Sequence, residues 1–322
     1  MRRRNLLALG PAQGWHADQL RAAATRHGRT LQYADYETLR GVIDDSGTVR
    51  VTCAAGDLSR FDAVLCRTMP MGTMEQIIFR LASLNVALSG GTRVTNPPKT
   101  LEIAIDKYAT LGIVASLGIP VPVTMVAQSR ADAMDAYDSL GGDVVVKPIF
   151  GGEGRGVMRV RDRQLAWTVF STLEQLGAIH YVQKFVRPGG QDTRLLIIGD
   201  EVHAVRRTAK NDFRTNVAEG ASCESVEVTD DQRAMATRVA HAIGLRIGSI
   251  DVLDNDDGPP LVLEVNGVPG WKGAQQCVSF NIAERMIAEL IRPVHANATH
   301  RRGEGSARSP SPRLGSNLPE GE

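Results

Sequence analysis

Residues 261–273 read LVLEVNGVPGWKG, a run of branched apolar residues interrupted by Glu264 and Asn266 and then broken into a Gly/Pro-rich loop. A strand alternates its faces with period two, so Glu264 and Asn266 share one face while Leu263 and Val265 share the other. A bare carboxylate on an otherwise buried face costs several kcal/mol unless it is paired or binds a cation. The preceding GSIDVLDNDDGPP supplies a partner. A hairpin turning at Asp257-Gly258, a favoured turn dipeptide, sets Asp251 opposite Glu264, because the two lie equally far from the turn. Asp251, Glu264 and Asn266 then converge as three oxygen-bearing side chains. Magnesium takes such a partial set when nucleotide phosphates and water complete its shell. The alternative is an acidic pair facing solvent at a sheet edge.

Residues 144–160, VVVKPIFGGEGRGVMRV, bear on that choice. A P-loop needs Gly-Lys-Ser/Thr opening a helix, and a dinucleotide fingerprint needs GxGxxG between strand and helix. Here Gly156 falls one position early and both flanks read as strands. The pattern fits a flap between two antiparallel strands that lays backbone N–H groups over phosphates; a plain long hairpin is the other reading. Lys147, a lysine inside an apolar strand, must reach an anion or snorkel out to solvent, and together with the flap it points to a nucleotide site.

Composition removes several function classes. The 322 residues carry 37 basic and 36 acidic side chains, a net charge of +1, so there is no whole-chain basic field for nucleic acid. The longest apolar runs break well before 18 residues, too short to span a membrane. MRRRNLLALGPAQGW opens like a signal peptide, but its apolar stretch stops at Gly10-Pro11 and reads as a first strand behind a basic start. Cys53, Cys66, Cys223 and Cys277 show no CxxC spacing and no His at metal-site intervals, which fits a reduced, cytoplasmic protein. None of the seven His is assigned chemistry.

NLLALG, ADQLRAAATRHG, TLQYADY and FDAVLCR alternate strand, helix, strand and strand, predicting a small parallel α/β lobe over residues 1–95. TRVTNPPKT reads as a linker stiffened by Pro97-Pro98. A central lobe, residues 96–187, holds a single helix over 100–118 closed by Gly118 and Pro120, a strand in VPVTMVA, a helix opening at Ser129, the flap, and HYVQKFV. A C-terminal lobe, residues 188–295, holds TRLLIIG, EVHAVRRTA, a helix from Thr229 to Ile243, the hairpin, and the final helix SFNIAERMIAELI. Residues 296–322 are polar and rich in Gly, Ser and Pro, the composition of a disordered tail. There is no internal repeat.

These ordered motifs, with DKYATLGIVASLGIPVPVT, YVQKFV, DTRLLIIGDEV and RRTAKNDFRTNVAEGA, resemble the ATP-grasp superfamily and, more narrowly, the RimK-like glutamate ligases, from the N-terminal lobe to about Arg292. The resemblance implies an ATP-grasp fold of α+β lobes behind an N-terminal Rossmann-like pre-ATP-grasp domain. It further implies an ATP-dependent carboxylate–amine ligase that forms an acyl phosphate and then an amide with L-glutamate. By position, Lys107 and Lys147 contact ATP phosphates, Gly152 and Gly154 form the flap, and Lys184-Phe185 sit at the adenine hinge. Asp192 contacts the nucleotide, Arg214, Thr215 and Asn216 line the phosphate region, and Asp251, Glu264 and Asn266 hold magnesium, with manganese as a substitute. The hinge, usually Gln-Glu-aromatic, is here Gln183-Lys184-Phe185. Lys147, Arg207 and Arg214 are the catalytic candidates, and Arg206 and Arg207 suit substrate carboxylates because guanidinium pairs with them bidentately.

Acceptor choice falls on VPGWKGAQQ, which looks like the ligases that add glutamate to tetrahydromethanopterin, a small-molecule pterin coenzyme. Trp271 then stacks on the flat ring and Lys272 meets an acidic tail, or else Trp271 only packs the loop. Arg67, ending DAVLCR, is a second acceptor contact. The runner-up is a ligase acting on a protein C-terminus, and the rival of another class is a noncatalytic ATP-binding regulator. A nicotinamide oxidoreductase is excluded, since LLALGPAQG lacks GxGxxG. A homo-oligomer is compatible with the sequence.

Overall fold

Strand β1 (Asn5–Leu9) is apolar at every position after Asn5, the pattern of a strand covered on both faces. In the computed structural model, which describes residues 5–152, 154–215 and 220–293, Leu6 and Ala8 join one apolar cluster with Leu20, Ala23 and Ala24 of α1 (Trp15–Arg26). The chain continues through β2 (Thr30–Ala34) and a small antiparallel sheet of β3 (Arg40–Ile43), β4 (Val49–Cys53) and β5 (Gly56–Asp57) to β6 (Ala63–Cys66). Helix α2 (Met74–Ser89) and strand β7 (Val94–Thr95) follow. Leu7 and Leu9 of β1 join the opposite cluster, with Leu84 and Ala87 of α2. The four parallel strands run β2-β1-β6-β7, so this first sheet carries α1 on one face and α2 on the other.

The stretch read as one helix over 100–118 is two. Pro98 opens α3 (Pro98–Ile105), where a missing N–H is no loss, and α4 (Lys107–Ser116) starts afresh. Asp106 causes the break: its carboxylate accepts from Tyr108 N at 2.9 Å and Ala109 N at 3.0 Å, capping α4 and leaving its own backbone extended. A second sheet of β8 (Thr124–Ala127), β9 (Val144–Val146), β10 (Met158–Val160) and β11 (His180–Lys184), ordered β10-β9-β11-β8, is backed by α5 (Arg130–Ser139) and α6 (Arg163–Gln175).

The third sheet is antiparallel, β14-β13-β12-β15-β16, built from β12 (Gln191–Ile198), β13 (Glu201–Thr208), β14 (Ser222–Val226), β15 (Ile247–Leu253) and β16 (Leu261–Asn266), with α7 (Asp230–Ile243) between β14 and β15. Leu195, Ile197, Ile250 and Val265 face a core that includes Leu111 and Val114 of α4, so the helices expected with the central lobe pack on this sheet. Leu196, Ile198 and Ile247 face the other way. They meet α1 and α9 (Ile282–Ile291), which follows the one-turn α8 (Lys272–Gln275), in the cluster that also holds Leu6 and Ala8. Asn216 and the tail at 296–322 lie outside the described residues. Among the described residues no helix is long and apolar enough to cross a membrane.

Candidate active site

One face of the third sheet changes character along its length. On β12 the alternate positions run Asp192, Arg194, Leu196, Ile198, and on β15 they run Ile247, Ser249, Asp251. The apolar ends lie under α9, and the charged ends face a cleft enclosing about 860 Å³ of free space open to solvent. Register places Asp192 against Arg207, Arg194 against Asp251, and Asp251 against Glu264, the last being the pairing the turn position predicts. A bulge between Asp251 and Val252 then shifts the ladder by one, to Val252–Val262.

Arg194 Nε and Nη2 donate to the two Asp251 oxygens, both at 2.7 Å. Arg207 Nε donates to Asp192 at 2.7 Å, and its Nη2 bridges to Asp251 at 2.9 Å. The Thr215 hydroxyl donates to Asp192. Burial raises the Asp251 carboxyl, but Arg194 and Arg207 outweigh it and hold the group below the usual carboxylate range. Burial also raises Asp192, and there it wins over Arg207. For the Arg207 guanidinium the balance reverses: burial lowers it, while Asp251 and Asp192 hold it above its ordinary value.

Glu264 is the less committed carboxylate, taking one donor, Asn266 Nδ2, at 3.1 Å. Asp251 Oδ1 takes one, and Asn266 Oδ1 accepts none among the described residues, so all three side chains keep free lone pairs. Two carboxylates and an amide are hard oxygen donors, and no group of three His, Cys, Asp or Glu forms a closed cage among the described residues. That chemistry fits a magnesium ion whose remaining ligands arrive with phosphate.

Lys147, directly after β9, is 6% exposed; its Nζ donates to Gln183 Oε1 at 3.0 Å and lies 5.1 Å from the Tyr181 ring centroid. Burial, helped by Lys107 and opposed by Glu264, pushes its ammonium down to about 8. Lys107 opens α4 and donates to Gly151 O at 2.5 Å, holding the base of the flap. Burial lowers it too, again opposed by Glu264. The flap joins β9 and β10 as an antiparallel pair with Val146 against Met158. Gly156 is obligatory there: at φ +71° an added Cβ falls 2.9 Å from Pro148 Cγ. Gly152 and Gly154 line the cleft.

Lys184 and Phe185 line it as well, but their N–H groups are already donated to Val123 O and Asp143 O, so any base contact there falls to carbonyls and to Val186. Arg214 lines the cleft with its guanidinium on Asp212 at 2.7 and 2.8 Å. Arg206 points to the opposite face of β13, where Asp254, Gln191 and Thr193 take its donors; it is not in the cleft, and the reading of it as a carboxylate clamp is corrected. Trp271 is 1% exposed, packed edge-on to His16 at 4.4 Å, so no indole face is offered to a flat ring and the packing reading holds. Lys272 is exposed at the start of α8. Arg67 stacks 4.7 Å over Trp271 and donates to Pro269 O at 3.2 Å, outside the cleft lining. Sequence reading missed Arg194, the partner that fixes Asp251; its signal is the second charge at two-residue spacing in DTRLLIIG.

Residues 104–290 match the family model described as a RimK-like ATP-grasp domain. A probable alpha-L-glutamate ligase of Citrobacter koseri is 33% identical over 278 residues, covering 85% of this chain and 91% of the relative. A ribosomal protein bS6–L-glutamate ligase of Escherichia coli O139:H28 is 32% identical with the same coverage. Among solved structures, the ATP-grasp ligase PsnB with its minimal precursor matches with a TM-score of 0.70 at 21% identity, covering 89% of this chain and 97% of that one.

Proposed function

Because the chain belongs to the RimK-like ATP-grasp family and is an ADP-forming carboxylate–amine ligase, we propose that it adds L-glutamate to a carboxylate acceptor through an acyl phosphate. The observation that carries this reading is the convergence of Asp251, Glu264 and Asn266 on one face of the third sheet, with the Lys147 ammonium and the flap lining the same cleft. In this reading Lys107, Lys147 and the flap glycines hold the phosphates, and the Lys184–Val186 stretch borders the base. Asp251, Glu264 and Asn266 hold magnesium, for which manganese is a chemically equivalent substitute. The bound ion would offset phosphate charge and align the γ-phosphoryl group. Lys147 and Arg214 stabilise charge on the phosphoryl oxygens as the acceptor carboxylate attacks the γ-phosphorus and the bond to the departing ADP breaks. Arg207 acts by fixing Asp192 and Asp251, and Arg194 shares that task. The amine of glutamate then attacks the acyl carbon, forms the C–N bond and releases inorganic phosphate. The flap excludes water that would hydrolyse the acyl phosphate.

The pterin reading, drawn from the likeness of VPGWKGAQQ, has no exposed Trp271 face to support it. A peptide or protein terminus is the better first acceptor, supported by the bS6-directed relative and by the precursor peptide in another PsnB complex. The test is an acceptor panel: a glutamate-terminated peptide, tetrahydromethanopterin and free L-glutamate, each with ATP, magnesium and L-glutamate, read by mass spectrometry. A glutamyl addition on the peptide is the expected result, and addition confined to the pterin would reverse this acceptor choice.

A further inference from the structure

The first sheet leaves positive charge unanswered at one place. From β1 the chain passes through α1 to β2 on one side; from β6 it passes through α2 to β7 on the other. The strand order therefore reverses between β1 and β6, and ligands of open α/β sheets bind in the crevice at the carboxyl ends of such neighbours. Here those ends are Gly10 and Arg67. Gly10 has φ +134°, and a Cβ on it would stand 3.0 Å from Arg67 Cβ, so glycine permits the close approach.

Helix α1 starts in the same crevice. Its cap, Gly14, has no side chain to accept from the first N–H groups, and its first-turn acid, Asp18, is turned to Arg21 at 3.3 Å. Among the described residues no side chain caps the positive end of this 12-residue helix. His16 of this first turn and Arg67 both pack on the Trp271 ring, which brings the helix end and the guanidinium together.

Arg67 is only 8% exposed, yet among the described residues no carboxylate pairs with its guanidinium, whose one hydrogen bond there goes to the neutral Pro269 O. Burial lowers it to about 10, the mark of a cation without a counter-charge. The next carbonyl, Gly270 O, lies 3.5 Å from Arg194 Nη1, whose Nε and Nη2 hold Asp251, so the crevice adjoins the magnesium carboxylates through one side chain.

We propose that Arg67 and the open N-terminus of α1 form a carboxylate subsite that holds a non-reacting carboxylate of a ligation substrate, beside the centre where the amide forms. The proposal rests on the ligase reading above. Two substrates carry such a group: the incoming glutamate, and a glutamate-terminated acceptor. Calorimetry on the wild type, Arg67→Gln and Arg67→Lys, each with magnesium and AMP-PNP bound, separates them by using L-glutamate and α-glutamyl-glutamate as probes. A charge-assisted bidentate contact is worth about 10- to 150-fold in affinity. One probe should weaken by that factor in Arg67→Gln and by less in Arg67→Lys, with AMP-PNP affinity unchanged; the probe affected identifies the source. A folded variant that keeps both affinities, or one that loses both probes and AMP-PNP together with melting temperature, overturns the subsite. Should neither variant fold, a crystal structure of the wild type with AMP-PNP, magnesium and both probes decides: a carboxylate on the Arg67 guanidinium supports it, and probes ordered elsewhere overturn it. A wild type that ligates while the variants keep both affinities removes the subsite alone; one that binds neither probe removes the glutamate reading as well.

Discussion

Lys147→Met should make the protein more stable and weaken its hold on ATP. The buried ammonium sits at about 8 instead of its ordinary 10.5. That depression corresponds to about 3 kcal/mol held against the charged form. Methionine keeps the stem and removes the charge, at the cost of an unpaired Gln183 Oε1, about 1 to 2 kcal/mol. The expected net gain is about 1 to 2 kcal/mol at pH 7, a rise of a few degrees in melting temperature. The pH dependence has a definite sign. Below pH 8 both folded and unfolded chains carry the proton and the penalty is complete; between pH 8 and 10.5 the folded chain has lost it while the unfolded chain keeps it. Wild-type stability relative to the variant therefore rises by about 2.5 kcal/mol from pH 7 to pH 10. Urea melts of both proteins at the two pH values measure this, and calorimetry with ATP should show about 10- to 150-fold weaker binding in the variant. A variant less stable than wild type at pH 7, a gap that does not narrow with pH, or unchanged ATP affinity would refute the reasoning.

Glu264→Gln keeps size but removes charge from the magnesium set, so turnover should fall at least ~100-fold, about 2.7 kcal/mol of transition-state stabilisation, measured as initial rate of ADP release. Asp251→Asn leaves the buried Arg207 and the partly buried Arg194 short of a counter-charge and should destabilise by about 3 to 5 kcal/mol in urea melts; an equally stable variant would contradict the network. Trp271→Ala should lower stability by about 3 to 5 kcal/mol through the cavity it opens, while a selective loss of pterin binding without loss of stability would restore the stacking role. Arg206→Gln should leave turnover within about twofold, since its partners lie on the far face of β13 and surface pairs contribute under about 1 kcal/mol.

The parts of this molecule legible in its sequence are those that local rules govern. Period-two alternation put Asp251 and Glu264 on one face, and the Ser129 and Thr229 caps marked helix starts; the expected Asp251–Glu264 pair forms, but through a turn over Asn255–Gly258 and a bulge after Asp251, where a symmetric turn at Asp257-Gly258 was expected. Asp106 was legible as an N-cap too, but the apolar periodicity on either side of it masked the break. What one strand says about the next was harder. Arg206 and Arg207 are equivalent as neighbours in a string, and only the pairing of Arg207 with Asp192 assigns one to the cleft and the other away from it. Trp271 follows a Gly/Pro-rich loop, and its sequence leaves stacking on a ligand and packing of the loop both open; it is buried because α1, more than 240 residues earlier, supplies His16 and Trp15 as its packing partners. That no carboxylate among the described residues meets the Arg67 guanidinium likewise depends on which elements meet at the end of β6.

The central claim is that an acceptor carboxylate is phosphorylated before glutamate attacks it, and oxygen labelling tests it most directly. A glutamate-terminated peptide carrying 18O in its carboxylates is incubated with the protein, ATP, magnesium and L-glutamate, and the inorganic phosphate is analysed by mass spectrometry. The account predicts one 18O in phosphate for every amide formed, with ADP as the nucleotide product. Amide formation accompanied by unlabelled phosphate, or by AMP, would contradict it.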